Sequence, residues 1–220
     1  LDIPLNDAYG QTETSGVLTI SLPHARKPGS VGRAIPGVEL RIADDGEIMA
    51  KGSNVFAGYA ENEEATNEAL NNEWLATGDI GELDTDGFLK ITGRKKEIII
   101  TAGGENVTPS LIEDVVKANT LVSEVCLVGD TMPYLIALIT KNEDAAGNLS
   151  DDEIHSEIEE HIEKINHQFA RSHQIKKFLI LPRQFTEADG ELTPTMKMKR
   201  SVIHEHYAQE ISNLYDEGSD

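Results

Sequence analysis

A single cysteine, Cys126, among 220 residues leaves no partner for an internal disulfide and suits a reducing compartment. It sits in the apolar run VCLV, which reads as core rather than as a nucleophile. No apolar stretch approaches the length of a membrane span, and the N-terminus lacks the charged, apolar and small-residue succession of a secretory leader. The expectation is a soluble, cytoplasmic chain. Cations are scarce as well: 19 Lys+Arg stand against 39 Asp+Glu, a formal net charge of -20. That charge repels nucleic acid and anionic lipid at long range, so nucleic acid is not expected as a partner. A polyphosphate could be held only by a few local cations, a divalent metal and backbone N–H groups. The short basic clusters at 94–96 and 197–200 therefore stand out.

Residues 29–60 are rich in glycine and in short alternating segments. VELRIA and GEIMAKG read as hairpin strands joined at the turn DDG. NEEATNEALNNEW has helical composition, TGDIGELDTDGFLKITG reads as two strands around a turn at 84–87, and 97–101 reads as a buried strand. Helix resumes at Pro109, whose fixed φ suits a first turn. Beyond it the order is helix (110–119), strand (124–129), strand (135–141), helix, strand (177–181), helix, an α+β pattern. The long acidic helix carries Ile154, Ile158, Ile162, Ile165 and Phe169 on one face, which reads as packing on the small sheet with a solvated acidic side. NEDAAGNLSDD before it reads as a mobile loop.

His155, His161, His167 and His173 recur every six residues, which winds them around a helix instead of stacking them as metal ligands at i, i+4 would. His204 and His206, two apart, diverge as well. No zinc site is expected. YGQTETSG places Tyr9, Thr12 and Glu13 in a polar segment after the apolar LDIPL, where a strand would end. A ring can cover a purine, a Thr hydroxyl can donate to a phosphate oxygen, and a carboxylate can hold Mg2+. In TGD the carboxylate of Asp79 could accept from both hydroxyls of a ribose, and Arg94 supplies a rigid donor fork. Each of these is ordinary by itself.

Their order is not. YGQTET, GYAENEEAT, EWLATGD, DGFLKITGRKKEIIITAGGENVTP and GELTPTMKMKR resemble the successive signature motifs of the adenylate-forming superfamily of acyl-CoA synthetases, luciferases and peptide-synthetase adenylation domains. The resemblance runs from Tyr9 to about Tyr215. ITGRKKEIIITAGGENVTP and GELTPTMKMKR look most like long-chain fatty acyl-CoA synthetases of the bubblegum type. The fold this implies is α/β and α+β: the β-rich end of a large adenylation domain (residues 1–94) followed by a small mobile α+β C-terminal domain (95–220).

By that similarity Tyr9 lines the adenine pocket, Thr12 contacts the α-phosphate, Glu13 binds Mg2+, and Asp79 holds the ribose hydroxyls with Arg94 assisting. Lys95 corresponds to the hinge, with residues 98–100 anchoring the small domain as a core strand. Gly103 and Gly104 belong to the face along which pantetheine passes, where their reading outside this context is a simple tight turn. The family pattern of Lys, two residues, Arg puts the catalytic lysine at Lys197 and the arginine at Arg200; counting four onward from Thr195 chooses Lys199 instead. The family usually has glycine before that lysine, and here Met196 stands there.

The implied substrates are a fatty acid, ATP and CoA, with Mg2+. The implied function is acyl-adenylate formation followed by thioester formation with CoA. Two alternatives are an adenylating enzyme that loads a carrier protein and a noncatalytic acidic interaction module. The family's Ser/Thr/Gly-rich phosphate loop and fatty-acid tunnel precede the Tyr9 motif and are absent from these residues, so the chain is expected to be a C-terminal fragment, with any peripheral membrane contact made by the missing part.

Overall fold

The computed structural model describes residues 5–216; most of the strand end expected in LDIPL falls on residues 1–4, outside the described residues. The chain divides into two compact units, Leu1–Glu97 and Ile98–Asp220. Among the described residues no helix is long and apolar enough to cross a membrane.

In the first unit β1 (Ala8–Tyr9), β2 (Thr19–Ile20) and β3 (Arg33–Ala34) form a small antiparallel sheet. A second sheet is built from β4 (Val38–Ile42), β5 (Glu47–Gly52), β6 (Leu70–Asn71), β7 (Trp74–Leu83) and β8 (Leu89–Arg94). The expected VELRIA and GEIMAKG strands pair in register, Ile42 opposite Ile48. β5 lies along one edge of β7, and β6 and β8 share the other. The buried residues Tyr9, Leu18, Ile48, Ala50 and Leu89 form the core between these strands.

The helix expected across NEEATNEALNNEW is shorter than its composition suggests. Helix α1 covers only Glu63–Ala69, capped by the Asn62 side chain. Asn72 and Glu73 then adopt positive φ (48° and 67°), a two-residue turn whose twist matches a hairpin, and Asn71 pairs with Trp74. Tight-turn geometry overrides helix propensity here.

The second unit opens with β9 (Ile99–Ile100) and β10 (Asn106–Val107), an antiparallel pair. The buried strand expected at 97–101 is reduced accordingly. Residues Lys95–Glu97 form a 3-10 turn, Ile99 is buried, and Ile100 is 52% exposed. Successive strand residues point to opposite sides, so a two-residue strand buries only one of its isoleucines.

Helix α2 (Pro109–Val116) starts on proline as expected. A three-stranded sheet of β11 (Val122–Val128), β12 (Leu135–Lys141) and β13 (Ile175–Leu181) carries β12 at its centre, antiparallel to β11 and parallel to β13. Alternation divides its residues between two cores. Val125, Leu127, Ala137 and Ile139 meet α2 and the long helix, while Cys126, Val128, Ile136 and Leu138 meet Phe185, Ile203 and Tyr207. Covering both faces explains why VCLV in β11 and LIALI in β12 read as continuous apolar runs. It also accounts for Cys126, which is buried and free of any disulfide.

NEDAAGNLSDD is more ordered than expected. It holds α3 (Glu143–Ala146), capped by Asn142, and ends in the reciprocal Ser150–Glu153 cap of α4 (Asp151–Asn166). Ile154, Ile158, Ile162 and Ile165 of α4 are buried, each worth roughly 1.5–3 kcal/mol relative to exposure, so the acidic side faces solvent. Helices α5 (Arg200–His206) and α6 (Ala208–Asp216) complete the unit.

Candidate functional site

In the first unit the polar segment after β1 is a closed loop. Thr14 N and Gly16 N both donate to Gln11 O, at 3.0 and 3.1 Å, and Leu18 N donates to Tyr9 O at 2.7 Å. A Cβ on Gly10 would lie 1.9 Å from Gly16 O, so the approach requires glycine. Asn54 clasps the loop from outside, its Nδ2 donating to Thr14 O (3.1 Å) and Val17 O (3.0 Å). Thr12 and Glu13 thus sit on a fixed 3-10 turn, Thr12–Thr14. The Thr12 hydroxyl is exposed and has no partner among the described residues. Glu13 Oε1 accepts from the Tyr59 hydroxyl at 2.7 Å, which raises the Tyr59 pKa, and no described residue pairs with Oε2.

Tyr9 lies in β1 itself, not in the loop after it, and is buried. Its hydroxyl donates to Asp79 Oδ2 at 2.7 Å. Burial, reinforced by Asp79, pushes the phenol well above its usual pKa, so it remains a donor at neutral pH. Asp79 is directly opposite Arg94 in the β7–β8 ladder, and Arg94 Nε is 3.1 Å from Asp79 Oδ1. Alternation along β7 places Leu75, Thr77 and Asp79 on one buried face, the carboxylate being 5% exposed. Thr77 steadies it, with Oγ1 donating to Ile48 O at 2.8 Å and accepting from Asp79 N at 3.2 Å.

Lys95 ends in a cage of carboxylates, its Nζ 2.7 Å from Asp45 Oδ2 and 2.7 Å from Glu47 Oε2. These bonds raise the lysine's pKa and, with Lys95 as the main cause, lower that of Asp45. Glu47 is buried and also accepts from Gly78 N at 2.8 Å, so one carboxylate ties the residue beside Asp79 to Lys95. A cleft of about 430 Å³ opens among Glu13, Tyr59, Glu47, Thr77, Arg94 and Lys95.

The Thr12 hydroxyl is open to donate to a phosphate oxygen, whereas both oxygens of the buried Asp79 are already engaged, by Tyr9 and by Arg94. Glu13, with one oxygen open, suits Mg2+, which binds through one or two carboxylates and completes its shell with water and substrate phosphates. Among the described residues no group of three or more His, Cys, Asp or Glu could hold a metal by itself.

In the second unit Gly103 and Gly104 lie in an exposed turn closed by Gly104 N donating to Thr101 O at 2.8 Å. Gly104 has φ +78°, which the turn alone explains. Gly103 needs no such conformation, and a Cβ there would find only Thr101 Oγ1, at 3.8 Å. Lys197 is exposed on a hairpin at 192–198, bridged Leu192 to Met198. Met196 takes φ +62°, the left-handed conformation that glycine adopts without strain; the hairpin closes with methionine bearing that cost. Neither Lys197 nor Lys199 has a side-chain partner among the described residues.

Four of the histidines make contacts within the second unit. His155 stacks on Phe178, His161 meets Val115 O at 3.0 Å, and His204 and His206 diverge toward Cys126 and Glu191. Asp45, Glu47, Tyr59, Glu113 and Glu191 were not singled out from the sequence. Asp45 and Glu47 flank a turn glycine in a hairpin, as surface carboxylates ordinarily do; a glutamate leading into the apolar Ile48, Met49 and Ala50 was the only local signal.

A β-rich unit carrying a carboxylate, guanidinium and loop-hydroxyl cluster, joined to a small α+β unit with an exposed lysine hairpin, is the architecture of an AMP-binding enzyme. The chain belongs to that family: the family described as "AMP-binding enzyme" matches residues 2–60 and "AMP-binding enzyme C-terminal domain" matches residues 96–219. It is 45% identical to the long-chain-fatty-acid–CoA ligase FadD15 of Mycobacterium bovis over 97% of its length. It is 38% identical to the human long-chain-fatty-acid–CoA ligase ACSBG1 over 99% of its length. The chain spans 38% and 35% of those relatives. Among solved structures, the O-succinylbenzoate coenzyme A synthetase MenE of Bacillus subtilis in complex with ATP and magnesium ion is similar, with a TM-score of 0.71 and 29% identity over 89% of this chain and 40% of that one.

Proposed function

We propose that this chain is the C-terminal part of an AMP-forming long-chain fatty acid–CoA ligase. The observation that carries the reading is the buried Asp79, held between the Tyr9 hydroxyl and Arg94 beside the Thr12–Glu13 turn, in a chain 45% identical to one such ligase.

In this reading Asp79 accepts from the ribose hydroxyls, Arg94 exchanging part of its ion pair for the nucleotide, while Tyr9 forms the buried wall of the adenine site. Thr12 donates to the α-phosphate. Mg2+, held by Glu13, would neutralise phosphate charge. The fatty carboxylate attacks the α-phosphorus, Lys197 stabilises the charge that develops, and pyrophosphate leaves. The second unit then turns about Lys95, releasing its bonds to Asp45 and Glu47, so that the Gly103–Gly104 turn faces the site while the CoA thiol displaces AMP from the acyl adenylate. The bonds of Lys95 to Asp45 and Glu47, all within the first unit, support the reading of this residue as the pivot.

The test is pyrophosphate release and acyl-CoA formation by the full-length enzyme, with and without CoA, across acids of varied chain length. Pyrophosphate release with long-chain acids and thioester formation with CoA is the expected result. Adenylation with no transfer to CoA would favour a carrier protein as acceptor, and no nucleotide turnover at all would favour the noncatalytic module. The isolated 220-residue chain is expected to have little activity, since it spans only 38% of its relative.

A further inference from the structure

The hairpin that presents Lys197 stands on two buried carboxylates. At one foot, Glu191 is fully buried and its oxygens accept from Arg183 Nη1 and Nη2 (2.7 and 2.8 Å), Thr186 N (3.0 Å) and His206 Nδ1 (3.1 Å). Its backbone carbonyl also accepts from Lys199 N at 2.7 Å. At the other foot, Arg200 Nη1 and Nη2 each lie 2.6 Å from Glu113 Oε1 and Oε2. Glu113, on α2, is 3% exposed, and its Oε1 accepts from Leu127 N at 2.7 Å. Between the feet, Thr193 N donates to Lys197 O (2.8 Å) and Lys197 N to Thr193 Oγ1 (3.0 Å). The backbone of Lys197 is thereby fixed while its ammonium is left without a partner among the described residues.

Stability alone does not call for this construction, because well-packed apolar residues usually replace a buried ion pair without loss. A fork-to-fork pair constrains direction as well as distance. Arg200 is three residues from Lys197, at most about 11 Å of extended chain, so its orientation limits where Lys197 can reach. We propose that Glu113 is a positioning residue for Lys197: acting through Arg200, it aims the lysine hairpin for the adenylation step, with Glu191 holding the opposite foot. The inference rests on the reading of Lys197 as the cation of that step.

The experiment compares the two half-reactions in the full-length enzyme. Glu113→Gln keeps the volume and an acceptor for Leu127 N but loses the charged fork. It is expected to lower the rate of pyrophosphate-forming adenylation ten- to a hundredfold, the scale of a roughly 1 Å misplacement, with KM for ATP little changed and thioester formation from supplied acyl adenylate at the parental rate. Arg200→Lys, which keeps charge beside Glu113, is expected to show the same split. The double variant should be no slower than the slower single one, since the pair acts as a unit.

Equal loss in both half-reactions, or no loss in adenylation, overturns the proposal; if Glu113→Gln does not fold, Arg200→Lys decides on the same readouts. Lys197→Ala run in parallel separates the two claims. If it leaves adenylation intact, the reading of Lys197 has failed; if it abolishes adenylation while the Glu113 and Arg200 variants do not impair it, only the positioning role has.

Discussion

The two units hold their chemistry in opposite ways. In the first, each candidate group except Thr12 is already bonded to another: Tyr9 to Asp79, Asp79 to Arg94, Glu13 to Tyr59, Lys95 to Asp45 and Glu47. In the second, Lys197 is unpartnered among the described residues, and the buried ion pairs lie beneath it, in the hairpin's feet. A preassembled cluster suits binding, where order present before the ligand arrives lowers the cost of association. A free cation on a braced loop suits a charge that exists only in passing, because an ammonium already paired would have to break that pair at the moment of reaction.

The sharpest way to break this comparison is Lys197→Ala in the full-length enzyme. Acyl-adenylate formation should fall by about 10²–10³, the usual effect of removing an electrostatic transition-state donor, while thioester formation from supplied adenylate survives. If Lys199→Ala gives that result instead, the hairpin presents the other lysine. Asp79→Ala should weaken nucleotide binding by roughly one to two orders of magnitude, the loss of hydrogen bonds at about 1.5–3 kcal/mol, measured by titration calorimetry. It should also lower the melting temperature, because the buried Tyr9 hydroxyl loses its acceptor.

A subtler contrast lies in acid. Arg183, with help from His206, holds the Glu191 carboxyl down at about 2, against an ordinary 4.5. A depressed folded-state pKa contributes stability that is complete above the unfolded value and is lost as protons bind. Urea midpoints of the parent should therefore fall as pH drops from about 4.5 toward 2, and the fall should be shallower in Glu191→Gln. The smallest effect is expected at Met196. Its φ of +62° costs about 1–2 kcal/mol in a non-glycine residue, and glycine gives back about 0.5–1 kcal/mol in chain entropy. Met196→Gly should thus stabilise by roughly 0.5–1 kcal/mol in chemical denaturation, and a loss of stability would mean that the side chain contributes packing despite its exposure.

Motif order along the chain made the family legible, alternation made β4 and β5 legible, a continuous apolar run made β12 legible and helical spacing made α4 legible, because those signals depend only on residues near in sequence. The shortened α1 was not, since a left-handed turn at Asn72–Glu73 ends it in favour of a hairpin. Nor was the short β9: residues 98–100 read as uniformly buried, and only Ile99 is inside. The capped α3 within NEDAAGNLSDD escaped because its polar composition reads as loop until Asn142 and Ser150 are seen to bond the helix N-termini.

Candidate residues Tyr9, Thr12, Glu13, Asp79, Arg94, Lys95 and Lys197 could all be named from their own motifs. What each one bonds could not. Tyr9 and Asp79 are 70 positions apart and Glu113 and Arg200 87 apart, so their pairing appears only when strands and helices have packed. The sequence by itself determined which side chains of the right chemistry exist and in what order, because covalent order and local periodicity survive without a fold. Only the tertiary structure decided which of them are bound to one another and which, like Lys197, are left exposed, because burial and hydrogen-bond geometry are properties of the packed chain.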